Sequence, residues 1–401
     1  MTRTFLTRLP IFGCAGFIAF LFLANIWNFA VERDYPKLRI RSAAPLAGVA
    51  RPKPTPWTVE AFLSGETQKA VSINLGRALP VFPISVRAKN QLIFSLFGKS
   101  AASGVVIGRN GQLYEQFYID EFCARGGAPD LAHIDQWAQD IRDIQDMAEA
   151  AGKRFVYVIS PSKAARLPED LPPEAVCAAR ATTMPAKLPP YLSALQAKGV
   201  HFVDGAGFIS ANRNAHPIPL FPRGGTHWNY LGAALVYREI AHVIAAPAVA
   251  DYNFEWSVPP QATGTDRDLA DLMNLLWPDL SYPTAAVARA SASPEGCGAG
   301  GRLLALGGSF VHEILATAAH APCPPTIDYW FFMRTEDNTV ELGHYRRPPG
   351  EDGNGERREV GPAALDENLR GADVVLLEEN ESKIGTMKQV GELRAAMRAL
   401  R

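Results

Sequence analysis

The sequence predicts a three-layer α/β domain built on a parallel sheet, and two kinds of observation lead to this prediction. Continuous apolar runs of strand length, typical of strands buried on both faces, occupy Arg154–Ser160, Arg302–Leu306 and Ala372–Glu378. Segments with apolar residues at helical spacing lie between such runs, for example Ile134–Gly152 and Asn229–Ile244. Alternating strands and helices are typical of parallel sheets covered on both faces, which bind ligands at the carboxyl edge of the strands.

The N-terminus has the pattern of a membrane anchor. Arg3 and Arg8 precede Pro10–Val31, whose apolar length matches the roughly 20 residues that cross a bilayer and exceeds the core of about 7–15 residues in a signal peptide. No clear A-x-A cleavage site follows. We therefore expect residues 1–32 to form an uncleaved single-pass anchor in the inner membrane. The globular part then lies in the periplasm, because the basic end stays inside. Cleavage as a signal peptide is the alternative.

Two shorter regions connect this anchor to the main domain. Residues 33–56 are basic and rich in proline, which favours an extended linker. Residues 57–103 carry apolar positions at helical spacing and form a predicted helical lead-in. Asn110-Gly111 then lies between two short apolar runs, a pattern typical of a β-hairpin turn, and opens the domain predicted for residues 104–401.

The remaining predicted elements follow in order along that domain. An acidic segment between Pro247 and Pro283 interrupts the alternation and is placed to rim a binding groove. A charged, glycine-rich loop spans Arg346–Glu359 and is expected to be mobile. The other predicted elements are strands at Gly199–Gly205 and Tyr329–Met333 and helices at Arg267–Leu276, Phe310–Ala319 and Lys383–Leu400.

Composition excludes several classes of function. The 401 residues include 40 basic and 41 acidic side chains, and 47% are hydrophobic, so the chain can bury a full core and has no charge excess to attract nucleic acid. Neither a G-x-G-x-x-G motif nor a P-loop occurs, and His and Cys are too scattered for a metal cluster of recognisable spacing. We therefore expect no nucleic-acid partner, no metal and no cofactor.

Two short motifs carry groups suited to acyl transfer. His227 lies in Gly224–Asn229, GGTHWN, before a predicted helix, and Ser309 lies in Leu306–Phe310, LGGSF, between a predicted strand and a helix. A glycine turn of this kind presents a nucleophile and backbone amides to the same ligand. Each motif also has a plain interpretation, as a capping or surface histidine and as an ordinary chain reversal.

The cysteines fit an exported protein. One lies in the predicted anchor, and four follow it. Four cysteines allow three pairings, of which a Cys297–Cys323 bridge would close a loop around the turn at Ser309. Cys123 would then pair with Cys177. The alternative is four reduced, buried thiols.

Together with further segments, the two motifs resemble the AlgX/AlgJ-type alginate O-acetyltransferases, which contain an SGNH-hydrolase-like domain. The resemblance runs from about Phe82 to about Glu381 and keeps the family's order of motifs. It implies an SGNH-hydrolase-like three-layer α/β/α domain. The segments that carry it are VVIGRNGQLYEQ at Val105–Gln116, VYVISPSKAARLPEDLP at Val156–Pro172, GVHFVDG at Gly199–Gly205, GGTHWNYLGA at Gly224–Ala233, GTDRDLADLM at Gly264–Met273 and LALGGSF at Leu304–Phe310.

The resemblance also implies roles for the two motif residues. His227 corresponds to the general base of the family's D-x-H-W motif, and Ser309 to the serine that carries the acyl group. The family's acid, two residues before the histidine, is replaced here by Gly225. Another acid could orient the imidazole, with Asp204 at a predicted strand end as the first candidate and Glu313 as the second. The alternatives are a Ser-His dyad and a site that has lost activity.

Further residues are assigned to binding. The backbone amides of Gly308 and Ser309 and the side chain of Asn380, just after the last predicted strand, are candidate oxyanion donors. Alternatives are an ordinary turn for the glycine, a helix cap for Asn380 and a surface ion pair for Lys163. The candidate substrate contacts are Lys163, Thr226 and Trp228.

These residues and the resemblance together predict an exported, membrane-anchored O-acetyltransferase acting on hydroxyls of a cell-surface or secreted polysaccharide. Because acetyl-coenzyme A is cytoplasmic, the resemblance implies a polytopic membrane acyltransferase as acyl donor. A carbohydrate esterase would use the same Ser-His site with water as acceptor. A non-catalytic polysaccharide-binding or scaffold protein is the other alternative, which Gly225 in the acid position favours.

Overall fold

A computed structural model describes residues 11–20, 22–23, 26–27, 44–49, 54–78, 81–291, 301–334, 340–345, 357–359 and 362–400. Within these ranges, no helix combines the length and the apolar character needed to span a membrane. The predicted anchor falls partly outside the described residues, and so does most of the predicted linker. Both stay predictions.

The chain divides into two compact units. Residues 1–103 and 271–278 belong to the first unit, and residues 104–270 and 279–401 belong to the second. In the region predicted as a helical lead-in, the first unit contains helices α1 (Val59–Leu63), α2 (Glu66–Ala78) and α3 (Val81–Phe97). The Thr58 hydroxyl caps α1 by accepting a hydrogen bond from the Ala61 amide at 3.1 Å.

A β-hairpin opens the second unit, as the Asn-Gly pair predicts. Strands β1 (Val105–Ile107) and β2 (Leu113–Glu115) pair antiparallel. Asn110 and Gly111 have φ angles of 55° and 71° in the connection, a left-handed conformation that these two residue types tolerate best.

The remaining elements of the second unit alternate between strands and helices. The helices are α4 (Gln116–Cys123), α5 (Leu131–Ala150), α6 (Lys163–Arg166), α7 (Leu188–Ala197), α8 (Gly205–Ala211), α9 (Tyr230–Val243), α10 (Pro247–Ala250), α11 (Asp268–Leu272), α12 (Val311–His320), α13 (Pro362–Gly371) and α14 (Gln389–Ala399). The strands are β3 (Arg154–Ser160), β4 (Phe202–Asp204), β5 (Trp256–Ser257), β6 (Ala286–Val287), β7 (Arg302–Gly307), β8 (Thr326–Arg334), β9 (Val340–Tyr345), β10 (Arg357–Glu359) and β11 (Val374–Asn380).

The central sheet of the described chain has the strand order β10-β9-β8-β7-β11-β3-β4. Strands β8, β7, β11, β3 and β4 run parallel, as the buried apolar runs predict. Leu377 of β11 is aligned with Leu306 of β7 and with Tyr157 of β3, so these three strands end at one edge of the sheet.

Two antiparallel strands, β9 and β10, extend the sheet beyond β8 and were not predicted. The sequence assigned Arg346–Glu359 to a mobile loop, but Arg357–Glu359 form β10. The rest of that predicted loop, residues 346–356, lies outside the described residues.

Helices cover both faces of the sheet and build two core clusters. Alternate side chains of β3 point to opposite faces: Val156 and Val158 join one cluster, whereas Phe155, Tyr157 and Ile159 join the other. Helices α9 and α12 complete the first cluster, and helices α5, α13 and α14 complete the second. Each fully buried aliphatic side chain stabilises the fold by roughly 1.5–3 kcal/mol. The two clusters therefore hold the strands in place, and with them the strand ends from which the loops start.

A disulfide joins Cys123, at the end of α4, to Cys177, which agrees with the predicted pairing. The bridge encloses a loop with a sequence separation of 54. The second predicted pair includes Cys297, which lies outside the described residues.

Candidate active site

His227 lies just before helix α9, in a turn that is fixed by the cap of that helix. The Asn229 side chain accepts a hydrogen bond from the Gly232 amide at 2.8 Å and donates one to the Pro219 carbonyl at 2.8 Å. The Asn229 amide donates to the Leu220 carbonyl at 2.8 Å. These bonds hold the chain on the C-terminal side of His227, which is only 7% exposed.

A buried ammonium group fixes the chain on the N-terminal side of the histidine. Lys163 donates through Nζ to the carbonyl oxygens of Pro222 at 2.7 Å, Gly225 at 2.8 Å and Arg223 at 3.2 Å. Burial lowers the pKa of Lys163 to about 7. An ammonium shared among three carbonyls has no hydrogen left for a ligand. The structure therefore corrects the prediction that Lys163 contacts substrate, because the side chain holds the loop before His227 instead.

Ser309 follows strand β7, and its turn is tied directly to the histidine turn. The Trp228 indole N–H donates to the Phe310 carbonyl at 3.1 Å, and the Phe310 ring lies 4.6 Å from the His227 ring between centroids. Both Trp228 and Phe310 are fully buried. Trp228 was predicted as a substrate contact; it links the two turns and does not face solvent.

A hydrogen-bonded relay of three side chains spans these turns. The Ser309 hydroxyl lies 2.7 Å from Nε2 of His227, and Nδ1 of His227 lies 2.7 Å from Oδ2 of Asp268. The second carboxylate oxygen of Asp268 accepts the Thr226 amide at 2.9 Å and the Leu269 amide at 2.6 Å. Asp268 is therefore fixed against the imidazole and leaves Nε2 to accept the serine proton. Thr226, predicted as a substrate contact, is buried and supports this carboxylate.

Sequence reasoning missed Asp268 and placed Asp204 first as the acid. Asp204 caps helix α8 by accepting the Gly207 amide at 2.8 Å. Its strand β4 lies three positions from β7 in the sheet, or about 14 Å at about 4.8 Å per strand. One signal for Asp268 was available, because the segment Gly264–Met273 carries part of the family resemblance and is rich in aspartate. Which of its carboxylates faces the histidine depends on tertiary contacts.

The segment that carries Asp268 is fastened to the loop before His227. The Ala270 amide donates to the Gly224 carbonyl at 3.0 Å, and the Tyr282 hydroxyl donates to the Asp266 carbonyl at 2.9 Å. A Cβ on Gly224 would collide with the Tyr282 hydroxyl. The glycine thus allows the close approach that brings Asp268 to the imidazole.

The donors near Ser309 differ from those predicted. The Gly308 amide donates to Oε2 of Glu378 at 2.7 Å, so this N–H is already occupied. Asn380 is buried and donates to the Pro161 carbonyl at 2.8 Å, which joins the ends of β11 and β3. Among the described residues no acceptor meets the Ser309 amide. Of the three predicted oxyanion donors, only the Ser309 N–H is free to act.

Carboxylates dominate the electrostatics of the site. Burial alone would lower the pKa of His227, but Glu313, Asp268 and Glu115 raise it to about 9. Glu313, the second candidate acid of the sequence analysis, is 0% exposed on helix α12. It does not bind His227 directly, because both ring nitrogens already have partners. Burial raises the pKa of Glu313 to about 7, even though the nearby imidazole lowers it.

The relay can move a proton from a hydroxyl and stabilise the imidazolium that results. Among the described residues, no group of three or more His, Cys, Asp or Glu side chains could hold a metal ion. A serine, histidine and aspartate at the carboxyl edge of a parallel sheet are typical of α/β proteins that transfer or hydrolyse acyl groups.

The family follows from the sequence itself. Residues 105–305, half of the chain, match the family described as "SGNH hydrolase-like domain, acetyltransferase AlgX", and the chain belongs to this family. The match confirms the family resemblance and the SGNH hydrolase-like α/β fold with a parallel sheet. Membership supports an acyltransferase or esterase activity.

Solved structures that are similar to the chain include the following three. The O-acetyltransferase domain of Pseudomonas putida AlgJ has 16% identity and a TM-score of 0.43, covering 73% of this chain and 99% of that chain. Pseudomonas aeruginosa AlgX has 13% identity and a TM-score of 0.43, and the match covers 74% of this chain and 66% of that chain. A DHHW family protein from Eubacterium siraeum has 12% identity and a TM-score of 0.41, and the match covers 73% of this chain and 94% of that chain. No curated protein sequence matches the chain.

Proposed function

We propose that the protein is an extracytoplasmic O-acetyltransferase that passes an acetyl group through a Ser309 ester to hydroxyls of a cell-surface or secreted polysaccharide. The observation that carries the proposal is the relay from Asp268 through His227 to Ser309, with both hydrogen bonds at 2.7 Å. Membership of the AlgX family supports the choice of acetyl transfer.

Acylation of the serine follows from this geometry. His227 accepts the Ser309 proton at Nε2 while the serine oxygen attacks the carbonyl carbon of the acyl donor. Negative charge develops on the carbonyl oxygen, where the Ser309 amide is free to donate. The intermediate then expels the donor's leaving group, which takes the proton from Nε2. Asp268 stabilises the imidazolium between these two transfers.

Transfer to the acceptor repeats the steps in reverse. A sugar hydroxyl gives its proton to Nε2 of His227 and attacks the serine ester, and the serine oxygen recovers the proton as the ester breaks. Water in place of the sugar would make the protein an esterase. The same residues serve both reactions, so the acceptor alone distinguishes them.

The scaffold alternative rested on Gly225 standing where the family has an acid. Asp268 occupies the place of that acid at Nδ1 of His227, 41 residues after the histidine. The geometry therefore favours a catalytic role over a binding role for this site.

The acyl donor, acceptor and location are part of the proposal. A polytopic membrane acyltransferase would supply acetyl groups from the cytoplasm, and the acceptor would be a polysaccharide outside it. The apolar stretch Pro10–Val31 would anchor the protein once in the inner membrane with the domain in the periplasm. A reporter fused to the C-terminus that is active only outside the cytoplasm tests this topology. Activity of a cytoplasm-only reporter would contradict it.

The catalytic proposal is tested with a chromogenic acetyl ester, with and without an oligosaccharide acceptor. Wild-type protein should form an acetylated Ser309 peptide by mass spectrometry, and the acceptor should speed turnover and become acetylated. Ser309→Ala should lose both signals. Ser162→Ala is a matched control, because this buried serine also follows a strand of the sheet and its hydroxyl has no hydrogen-bond partner within the described ranges. Activity of Ser309→Ala equal to that of the control would end the proposal.

A further inference from the structure

Near the relay lies a buried group of side-chain oxygens that have no hydrogen bond to the part of the chain that the structure describes. Six oxygens are involved: both carboxyl oxygens of Asp266 and of Glu313, and the hydroxyls of Thr265 and Thr284. Asp266, Thr284 and Glu313 are each at most 1% exposed. Buried polar groups are normally paired with protein or ordered water, so six unpaired oxygens in one place require an explanation.

These oxygens come from three segments, and the carboxyl groups of two of them interact electrostatically with His227. Thr265 and Asp266 precede the relay acid Asp268, and Glu313 lies one helical turn after Ser309 on α12. The Thr265 hydroxyl faces Glu313 and the Thr284 hydroxyl faces Asp266, but neither contact has the geometry of a hydrogen bond. Buried polar groups that face each other without a hydrogen bond are typical of sites that are bridged by water.

Two carboxylates cannot both stay ionised in such a place. An isolated buried charge costs several kcal/mol, and a like charge nearby adds to the cost, so a proton is retained. Burial raises the pKa of Asp266 well above its usual range, and the neighbouring Glu313 raises it further. Coupled groups of this kind hold their protons as a pair.

Charges around His227 are mostly acidic. Helix α12 contributes His312, whose pKa burial and His227 lower to about 3, in addition to Glu313. Lys163 is near Asp268 but is already bound to three carbonyls. The carboxyl groups that face His227 or its partners from the packed elements are Glu115 of β2, Asp266 and Asp268 of the 264–272 segment, Glu313 of α12 and Glu378 of β11.

We propose that Asp266 and Glu313, bridged by buried water and flanked by the two threonine hydroxyls, form a carboxyl pair that retains one proton. We further propose that Glu313 acts as a positioning residue whose charge sets the basicity of His227. When the retained proton is on Glu313, the imidazole faces one carboxylate fewer and is neutral at lower pH. When Glu313 is ionised, His227 keeps its own proton up to a higher pH and accepts that of Ser309 only above it.

Any effect of Glu313 on the rate of turnover rests on the proposed acyl transfer. The proton shared by Asp266 and Glu313 and the pKa of His227 do not depend on that function. Titration of His227 by NMR on protein labelled at histidine therefore tests the pair independently of activity. The His227 signal is assigned by its loss in His227→Gln. In wild type we expect a midpoint near pH 9. In Glu313→Gln we expect the midpoint to fall by at least about one pH unit, the usual effect of removing a close charge.

A matched control uses a buried acid away from the histidine. Glu379 is also 0% exposed and accepts hydrogen bonds from Trp137 and Tyr157 on the other side of the sheet. Glu379→Gln should leave the His227 midpoint unchanged. A folded Glu313→Gln protein with an unchanged His227 midpoint would overturn the role of Glu313.

Asp266→Asn gives a test with a different expected sign. Removing this neighbour makes Glu313 easier to ionise, so the His227 midpoint should stay or rise. A fall equal to that in Glu313→Gln would overturn the specific role of Glu313. If Glu313→Gln does not fold, the His227 midpoint of Asp266→Asn still tests the proposal.

The retained proton has its own readout. Infrared spectroscopy at pH 7 should show the carbonyl band of a buried, protonated carboxyl group in wild type, and the band should shift or weaken in Asp266→Asn. Elemental analysis after chelation should find no stoichiometric divalent cation. Absence of the band, or a retained cation that Asp266→Asn loses, would overturn the proton-sharing pair.

Discussion

Gly225 lies directly against the carbonyl of Thr265: a Cβ built on this glycine would come within 2.6 Å of that oxygen and within 2.9 Å of Pro222 Cγ. The space beside Gly225 is thus filled by the backbone of the segment that delivers Asp268.

Placing an acid at position 225 should therefore lower both the stability and the activity of the protein. Gly225→Asp forces a side chain into the Thr265 backbone and should destabilise the fold by about 1–3 kcal/mol or more, with loss of esterase activity as Asp268 is displaced. Denaturant unfolding and turnover of an acetyl ester measure the two effects. Gly127→Asp is the control, because nothing lies within 4 Å of a Cβ there. A gain of activity in Gly225→Asp would mean that Asp268 does not serve as the acid.

Asp268→Asn should keep the geometry and remove the charge. Its oxygen can still accept the Thr226 and Leu269 amides, but the amide group would favour the wrong imidazole tautomer. In a serine protease this change costs about 10⁴ in turnover, and we expect a loss of about 10³–10⁴-fold in kcat. Asp204→Asn is the control, since asparagine caps helix α8 as well as aspartate does. Equal losses in both variants would refute the assignment of the acid.

The sequence was sufficient for the parallel core and for His227 and Ser309, because each depends on local pattern. Continuous apolar runs identify buried strands, and a glycine turn after a strand identifies the place of Ser309. Asp268 could not be identified in this way, since three aspartates lie close together in its segment and its partner lies 41 residues away. The assignment of Lys163 failed for a related reason: a lysine after a strand looks exposed until the loop that covers it is known.

The rate should depend on pH through His227. The imidazole acts as a base only when neutral, and its pKa is raised to about 9. We therefore expect kcat/KM to rise with pH by about tenfold per unit below 9 and to level off above it. Initial rates between pH 6 and 10, corrected for spontaneous ester hydrolysis, provide the measurement. A profile that is flat from pH 6 to 9 would show that His227 is neutral throughout.

Lys163→Met should separate loop support from substrate binding. The change removes the donor shared by the Pro222 and Gly225 carbonyls. A buried carbonyl left without a donor lowers the stability of the fold by about 1–3 kcal/mol. Stability and kcat should fall while KM changes little. Lys198→Met, at an exposed pair with Asp135, should change neither. A raised KM with unchanged stability would return Lys163 to the role of a substrate contact.

Replacing both Cys123 and Cys177 by serine should reduce stability without removing activity. The bridge closes a loop with a sequence separation of 54, which corresponds to about 4 kcal/mol in the chain-entropy description. Denaturant unfolding with and without reductant measures this difference. Cys14→Ser, at an exposed free cysteine, serves as the control. Equal unfolding midpoints for oxidised and reduced wild type would contradict the expectation.

The bond from the Trp228 indole to the Phe310 carbonyl joins the residue after the histidine to the residue after the serine. Both residues are fully buried, so the two turns cannot separate without opening the core between helices α9 and α12. The link therefore holds the histidine turn and the serine turn in register. On the proposed function, control within the domain would therefore act through the charge of Glu313 beside His227 rather than through movement of these two turns.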